Sequence, residues 1–181
     1  MIKITQLRLE RNYGEAIRFL QARLAQFHPA SQYDKGADQV ALAFMQRLAG
    51  DKTSAQITVE QARNTLEPVL KDQPDSIAFV SWLSQAFAAM GEKDSALQTA
   101  ERAIVLLPRA KDAVNGPGLE QNLAFIQTIF GDNSRAISTL APLLQTPYIA
   151  GWYGPPLTPA LLRIEPLWDP LRSDPAFQKL C

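Results

Sequence analysis

The chain has 181 residues, enough for a core of ordinary size, and its 46% hydrophobic and 20% charged content excludes a disordered chain. Lysine plus arginine equal aspartate plus glutamate at 18 each, with no long run of either sign, so the basic footprint of a phosphate-backbone binder is missing. A single cysteine, Cys181, rules out a disulfide within the chain.

The opening residues MIKITQLRLERN have no apolar block followed by small residues, so they do not read as a signal peptide. They keep only Ile2, Ile4, Leu7 and Leu9 of an apolar pattern, which predicts at most a short helix. A helix is expected from Tyr13 to Phe27, with Ala16 at a small-residue position and His28-Pro29 as its end. His28, the only histidine, has no cluster of cysteines or carboxylates beside it and reads as a helix-end residue. The next helix is predicted over 38–49, carrying Val40, Leu42, Ala43, Phe44 and Leu48, with Gly50-Asp51 as its turn. The helix after it is long, and both Ala55 and Ala62 suit a close-contact position.

The clearest pattern follows. Ile77, Val80, Leu83, Phe87 and Met90 fall at steps of three and four, one apolar stripe on a helix. Gly91 stands where a helix ends, and a second stripe runs through Ala96, Leu97, Ala100, Ile104 and Leu107 until Pro108. Ser84, Ala96 and Ala103 are small where the two helices would cross. Residues 111–116 form an insertion ending in Asn115-Gly116-Pro117-Gly118. A last pair uses Leu119, Leu123, Ile126 and Phe130, then the turn Gly131-Asp132, then Ala136, Ile137, Leu140 and Leu143. From residue 146 proline and aromatics dominate; Thr158-Pro159 and Asp174-Pro175 each read as an N-cap with a first-turn proline.

The unit 77–110 has the 34-residue length of a tetratricopeptide (TPR) repeat and resembles one. Leu83-Ser84 stands for its Leu-Gly, Phe87 for its Tyr, and Ala96 and Pro108 match, while Val80 and Ala100 depart from the aromatic positions. An internal echo, Thr-Leu-x-Pro-x-Leu at 65–70 and 139–144, supports a repeat. The resemblance implies an all-α fold, a right-handed TPR-like superhelix of helical hairpins over 1–150, in units of about 1–31, 36–75, 77–110 and 117–150. Residues 151–181 would form a proline- and aromatic-rich tail capping the solenoid. Residues 161–177 are similar to the ending of bacterial repeat proteins that carry winged-helix, adenylate-cyclase-like or serine/threonine-kinase domains at their N-termini. That likeness implies the C-terminal part of a larger cytoplasmic signalling or regulatory protein, and the short first hairpin is expected either from such a longer chain or from a native start with a truncated hairpin.

No phosphate-binding glycine loop, zinc-binding His-Glu-x-x-His or serine nucleophile elbow occurs, so no enzyme activity, cofactor or metal is expected. Repeat solenoids bind along a concave surface lined by the first helix of each hairpin. The pattern places Phe44, Arg47, Ser81, Gln85, Ala88, Gln121, Phe125 and Thr128 there. The expected partner is a protein or peptide, with a homo-oligomer as a further option and neither nucleic acid nor membrane contacted. The alternative is a ligand-sensing domain that controls an attached catalytic or DNA-binding domain, its pocket closed by the Trp152-Tyr153 turn. The tail, through Trp152, Tyr153, Trp168 and Phe177, is expected to fold back and fill part of the groove; a tail on the convex side would leave the groove free.

Overall fold

The computed structural model describes residues 2–26, 31–145, 147–148 and 156–181, which are all-α, with no strand among them. Helices α1 (Ile2–Leu9) and α2 (Tyr13–Ala25) are followed by α3 (Gln32–Leu48), α4 (Lys52–Asp72), α5 (Ile77–Met90) and α6 (Lys93–Leu106). Then come α7 (Gly116–Ile129), α8 (Asn133–Leu143) and α9 (Pro159–Ile164), a 3₁₀ turn at Pro166–Leu171, and α10 (Pro175–Gln178). Each of α1 to α8 packs on its neighbours in sequence. The odd-numbered helices α3, α5 and α7 also touch one another, which makes them an inner layer.

Four helix pairs, α1/α2, α3/α4, α5/α6 and α7/α8, are joined by the same turn. The amide of Gly91 donates to the Ala88 carbonyl (3.2 Å) and that of Glu92 to the Phe87 carbonyl (2.9 Å). This is the Schellman pattern, which satisfies carbonyls left over at a helix end. Gly50-Asp51 and Gly131-Asp132 repeat both bonds, and the three glycines have φ of 87°, 84° and 73°, which a Cβ would strain. Arg11-Asn12 makes the same pair of bonds with Arg11 at φ 54°, so the first pair turns like the others despite lacking the glycine.

The shared turn sets the register of everything around it. Four residues after each turn's second residue stand Ala16, Ala55, Ala96 and Ala136, each exposed by 4% or less. Seven residues before each glycine stand Ala43, Ser84 and Ala124, all fully buried. Small side chains at both places let the paired backbones approach. Ala55 rather than Ala62 is therefore the register alanine of α4. The equivalent alanines recur at intervals of about 40 residues, longer than the 34 of a TPR repeat. The 21-residue α4 and the loop between α6 and α7 take up the difference.

Two boundaries differ from the sequence reading. Helix α3 begins at Gln32, ahead of the expected Asp38, because its first turn is polar and shows no apolar stripe. Gly36 lies in that turn: a Cβ there would overlap the Leu66 side chain, so glycine lets α4 close on α3. Helix α7 starts at Gly116, where a Cβ would lie 2.9 Å from backbone atoms of Arg109. Asp112 holds the preceding loop by accepting from the amides of Val114 and Asn115, both at 2.9 Å.

Ala96→Leu should cost about 1–3 kcal/mol, the range for overpacking a filled core, because Ala96 is fully buried against Ala88, Ala100 and Ile126. Leu83→Ala should cost about 2–5 kcal/mol through the cavity it leaves. Denaturant midpoints of the two variants check both values.

Candidate functional site

The inner helices line a partly open cavity of about 690 Å3 together with α1 and the tail. Thr5, Phe44, Gln85 and Phe125 line it, one from each of α1, α3, α5 and α7, and each lies six residues before the positive-φ residue of its turn. The repeat therefore presents the same position four times toward one space. Leu157, Leu161, Leu167 and Trp168 supply the wall from the tail.

Aromatic rings tie this wall to the hairpins. Phe44 and Phe125 lie with ring centroids 5.1 Å apart and tilted 58°. Trp168 meets Phe125 edge-on at 6.2 Å and 86°, the T-shaped geometry favoured by ring quadrupoles. Trp168 is 2% exposed and Phe177 1% exposed, so the tail belongs to the core.

Ion pairs fasten the tail to α1. Arg8 Nε and Nη2 donate to the two carboxylate oxygens of Glu165, both at 2.8 Å, with the side chains only 10% and 9% exposed. Glu165 also accepts from the Leu167 amide at 3.3 Å, opening the 3₁₀ turn. At the surface Arg11 donates to both oxygens of Asp169 (2.8 and 3.1 Å), and Arg172 Nε adds a bond of 2.6 Å. Burial pushes the Asp169 carboxyl up, but the bonds and charges of Arg11 and Arg172 together hold it below its ordinary value. Within the tail, Arg172 donates to the carbonyls of Arg163 and Glu165, and Arg163 to that of Cys181.

The polar residues of the inner layer form two directed chains. The Ser84 hydroxyl donates to the Ser81 carbonyl (2.7 Å), Asn122 Nδ2 donates to Ser84 Oγ (2.9 Å), and Gln85 Nε2 donates to Asn122 Oδ1 (3.1 Å). From the tail, the Leu157 amide donates to Tyr148 Oη (3.1 Å) and the Tyr148 hydroxyl donates to Gln121 Oε1 (2.7 Å). Burial raises the Tyr148 pKa, which keeps the hydroxyl a donor at neutral pH.

Of the residues expected on the inner surface, Phe44, Gln85, Gln121 and Phe125 line the cavity and the other four lie elsewhere. Arg47 is exposed and donates to the Ala89 carbonyl at 2.9 Å, stitching α3 to the end of α5. Ala88 is buried against α6 and α7, with Ala96, Ala100 and Ile126. Thr128 turns its hydroxyl back to the Ala124 carbonyl (2.9 Å), and the fully buried Ser81 hydroxyl makes no hydrogen bond to a described residue. Arg47, Ala88 and Thr128 share one register position, three before the turn glycine, where the helix faces its neighbours. Trp82, Ala41 and Met45 belong to the cavity and were not among the residues expected on the inner surface, though Trp82 lies three residues before Gln85 on the same face. Trp152, Tyr153 and His28 lie outside the described residues.

Among the described residues, no group of three or more His, Cys, Asp or Glu side chains could hold a metal ion, and no helix is long and apolar enough to cross a membrane. A scan against family models, a search of curated proteins and a search of solved structures each returned no match.

Glu165→Ala should cost about 3–5 kcal/mol, because it leaves the Arg8 guanidinium buried without a partner. The paired change Arg8→Met with Glu165→Leu should recover most of that loss in denaturant unfolding. The Asp169 carboxylate contributes stability that is complete above its ordinary value of 3.8 and lost as pH falls through the lower folded-state value. Asp169→Asn should therefore flatten that acid limb in melts recorded against pH.

Proposed function

We propose that this chain is a non-catalytic, small-molecule-binding regulatory module, built on a TPR-like right-handed superhelix of helical hairpins. On this reading it is the C-terminal part of a larger bacterial, cytoplasmic signalling protein, and ligand occupancy is sensed by an attached domain. The single observation that carries the ligand reading is the cavity. At about 690 Å3 it falls within the range of roughly 300–1,000 Å3 typical of small-ligand sites, and apolar side chains with a few placed polar groups line it. The position of the tail favours a small molecule over a long peptide. A peptide laid along the inner helices would have to displace Trp168 from Phe125 and part Arg8 from Glu165.

The repeat part of the proposal rests on the four identical turns and on the small residues at fixed distances from them. The interval of about 40 residues departs from the TPR length, so the likeness is one of hairpin geometry. A second reading, a protein partner, is favoured by Ile2, which lines the cavity and is 90% exposed. Such a partner would dock at that mouth rather than along the inner layer.

A neutral environment-sensitive dye, N-phenylnaphthylamine, tests the ligand reading. The chain should bind it saturably at one site, with enhanced fluorescence and a raised melting temperature. Ala41→Trp, which fills the cavity from α3, should keep the helix content and lose the binding. Absence of saturable binding by the unaltered chain would remove the reading.

A further inference from the structure

We infer that the cavity selects an uncharged molecule with an apolar body and an amide-like end, one that offers a hydrogen-bond donor and an acceptor side by side. The inference rests on the ligand-binding reading of the cavity and concerns what the cavity recognises. Its basis is the direction of the two hydrogen-bond chains that end at Gln85 and Gln121.

A glutamine amide can present either its oxygen or its nitrogen, and only the surrounding bonds decide which. Here both choices are forced from outside the cavity. Ser84 spends its one proton on the Ser81 carbonyl, so Ser84 Oγ is an acceptor and must take a proton from Asn122. With Asn122 Nδ2 so used, its Oδ1 faces Gln85, and Gln85 must donate. What Gln85 has left is the carbonyl Oε1, an acceptor, which takes no hydrogen bond from any described residue. The second chain runs the other way. Tyr148 Oη receives the Leu157 amide, so its own proton goes to Gln121 Oε1. What Gln121 has left is Nε2, a donor, which gives no hydrogen bond to any described residue.

Both glutamines line the cavity while being only 3% and 6% exposed, so the free half of each amide has little but the cavity to serve. The two free ends belong to facing helices, Gln85 on α5 and Gln121 on α7, and both residues line the same cavity. A buried polar group without a partner is costly, and a ligand that supplies both partners removes two such costs at once. The site thus presents one acceptor and one donor, the complement of a primary amide or lactam edge. Its N–H would donate to Gln85 Oε1 and its C=O would accept from Gln121 Nε2.

Charge at the cavity argues for a neutral ligand. Arg8 and Glu165 line it, and each satisfies the other through two hydrogen bonds. Glu10 at the wall is a further carboxylate that would repel an anion, and it already accepts from Gln6. A carboxylate end brings two acceptors and no donor, so it leaves Gln85 Oε1 unserved. An ester end has the same defect without the charge.

Displacement of bound N-phenylnaphthylamine by three molecules with matched apolar chains tests this: decanamide, decanoate and methyl decanoate. Decanamide should displace the dye about tenfold better than methyl decanoate, the ratio that one good hydrogen bond of roughly 1.4 kcal/mol supports, and decanoate should be no better than the ester. Gln85→Met and Gln121→Met keep side-chain length without the amide. Gln85→Met should lower decanamide affinity to that of the ester and leave the ester unchanged, whereas Gln121→Met removes the donor that both carbonyls use and should weaken decanamide and the ester alike. Equal displacement by all three molecules from the unaltered chain would overturn the inference while the cavity reading stands. Failure of the dye to bind at all would overturn both. Should either variant fail to fold, as far-UV circular dichroism would report, the comparison on the unaltered chain still decides.

Discussion

The contact between Arg8 and Glu165 joins residues 157 positions apart, with two parallel bonds of 2.8 Å between nearly buried groups. Desolvating an ion costs several kcal/mol, and only good geometry with the remaining hydrogen-bonding capacity filled offsets it. The geometry is good: the guanidinium fork matches the carboxylate, and Glu165 takes the Leu167 amide as well. Stacked hairpins contact mainly their neighbours, so packing within α3 to α8 does not fix where the first helix and the tail lie. This pair adds to the apolar packing of Ile4, Leu7, Trp168 and Phe177 in holding them, with Arg11 and Asp169 beside it. The wall of the cavity depends on it, because Trp168 lies three residues beyond Glu165 and meets Phe125 only while the tail stays docked.

The hairpins themselves follow a more local rule. Each turn ends a helix with a residue at positive φ, and the small residues around it are counted from that point. Glycine takes the strained position in three turns; in the first, Arg11 takes it at φ 54°. An L-residue there costs about 1–2 kcal/mol. The same Arg11 forms the outer ion pair to Asp169, so one residue both closes the first hairpin and reaches the tail. A glycine would relieve the backbone and lose that contact.

Periodic features were legible in the sequence and solitary ones were not. Gly50, Gly91 and Gly131 announced their turns because glycine after an apolar stripe has a physical meaning wherever it occurs. Thr158 and Asp174 announced α9 and α10 in the same way, and each accepts the predicted amide bond, from Leu161 and Ala176. The inner face was half legible. Phe44, Gln85 and Phe125 share one register position, whereas Arg47, Ala88 and Thr128, three residues further on, turn toward neighbouring helices. Positions three apart lie on neighbouring parts of one helix face, so an apolar stripe alone does not say which of them the cavity takes and which the adjoining helices take. Arg8 and Glu165 carried no signal of their mutual contact, because a single charge has no period to mark its partner.

On the proposed reading, occupancy of the cavity and closure of the tail are one equilibrium. The hairpins supply Phe44, Gln85 and Phe125, and the tail supplies Leu157, Leu161 and Trp168, so the full set of contacts exists only in the closed form. A molecule that prefers this form over an open one stabilises it in proportion to that preference, and a molecule binding both equally shifts nothing. Linkage is reciprocal for binding free energies, so any change that loosens the Arg8–Glu165 pair weakens such a ligand by the factor that the ligand tightens the pair. The polar chain through Tyr148 joins the same coupling, since the Leu157 amide of the tail orients the hydroxyl that orients Gln121. Undocking the tail would free the Gln121 amide to rotate, and the donor end of the site would lose its fixed direction. The physical link between tail and cavity is therefore of two kinds, apolar closure through Trp168 and hydrogen-bond polarity through Tyr148.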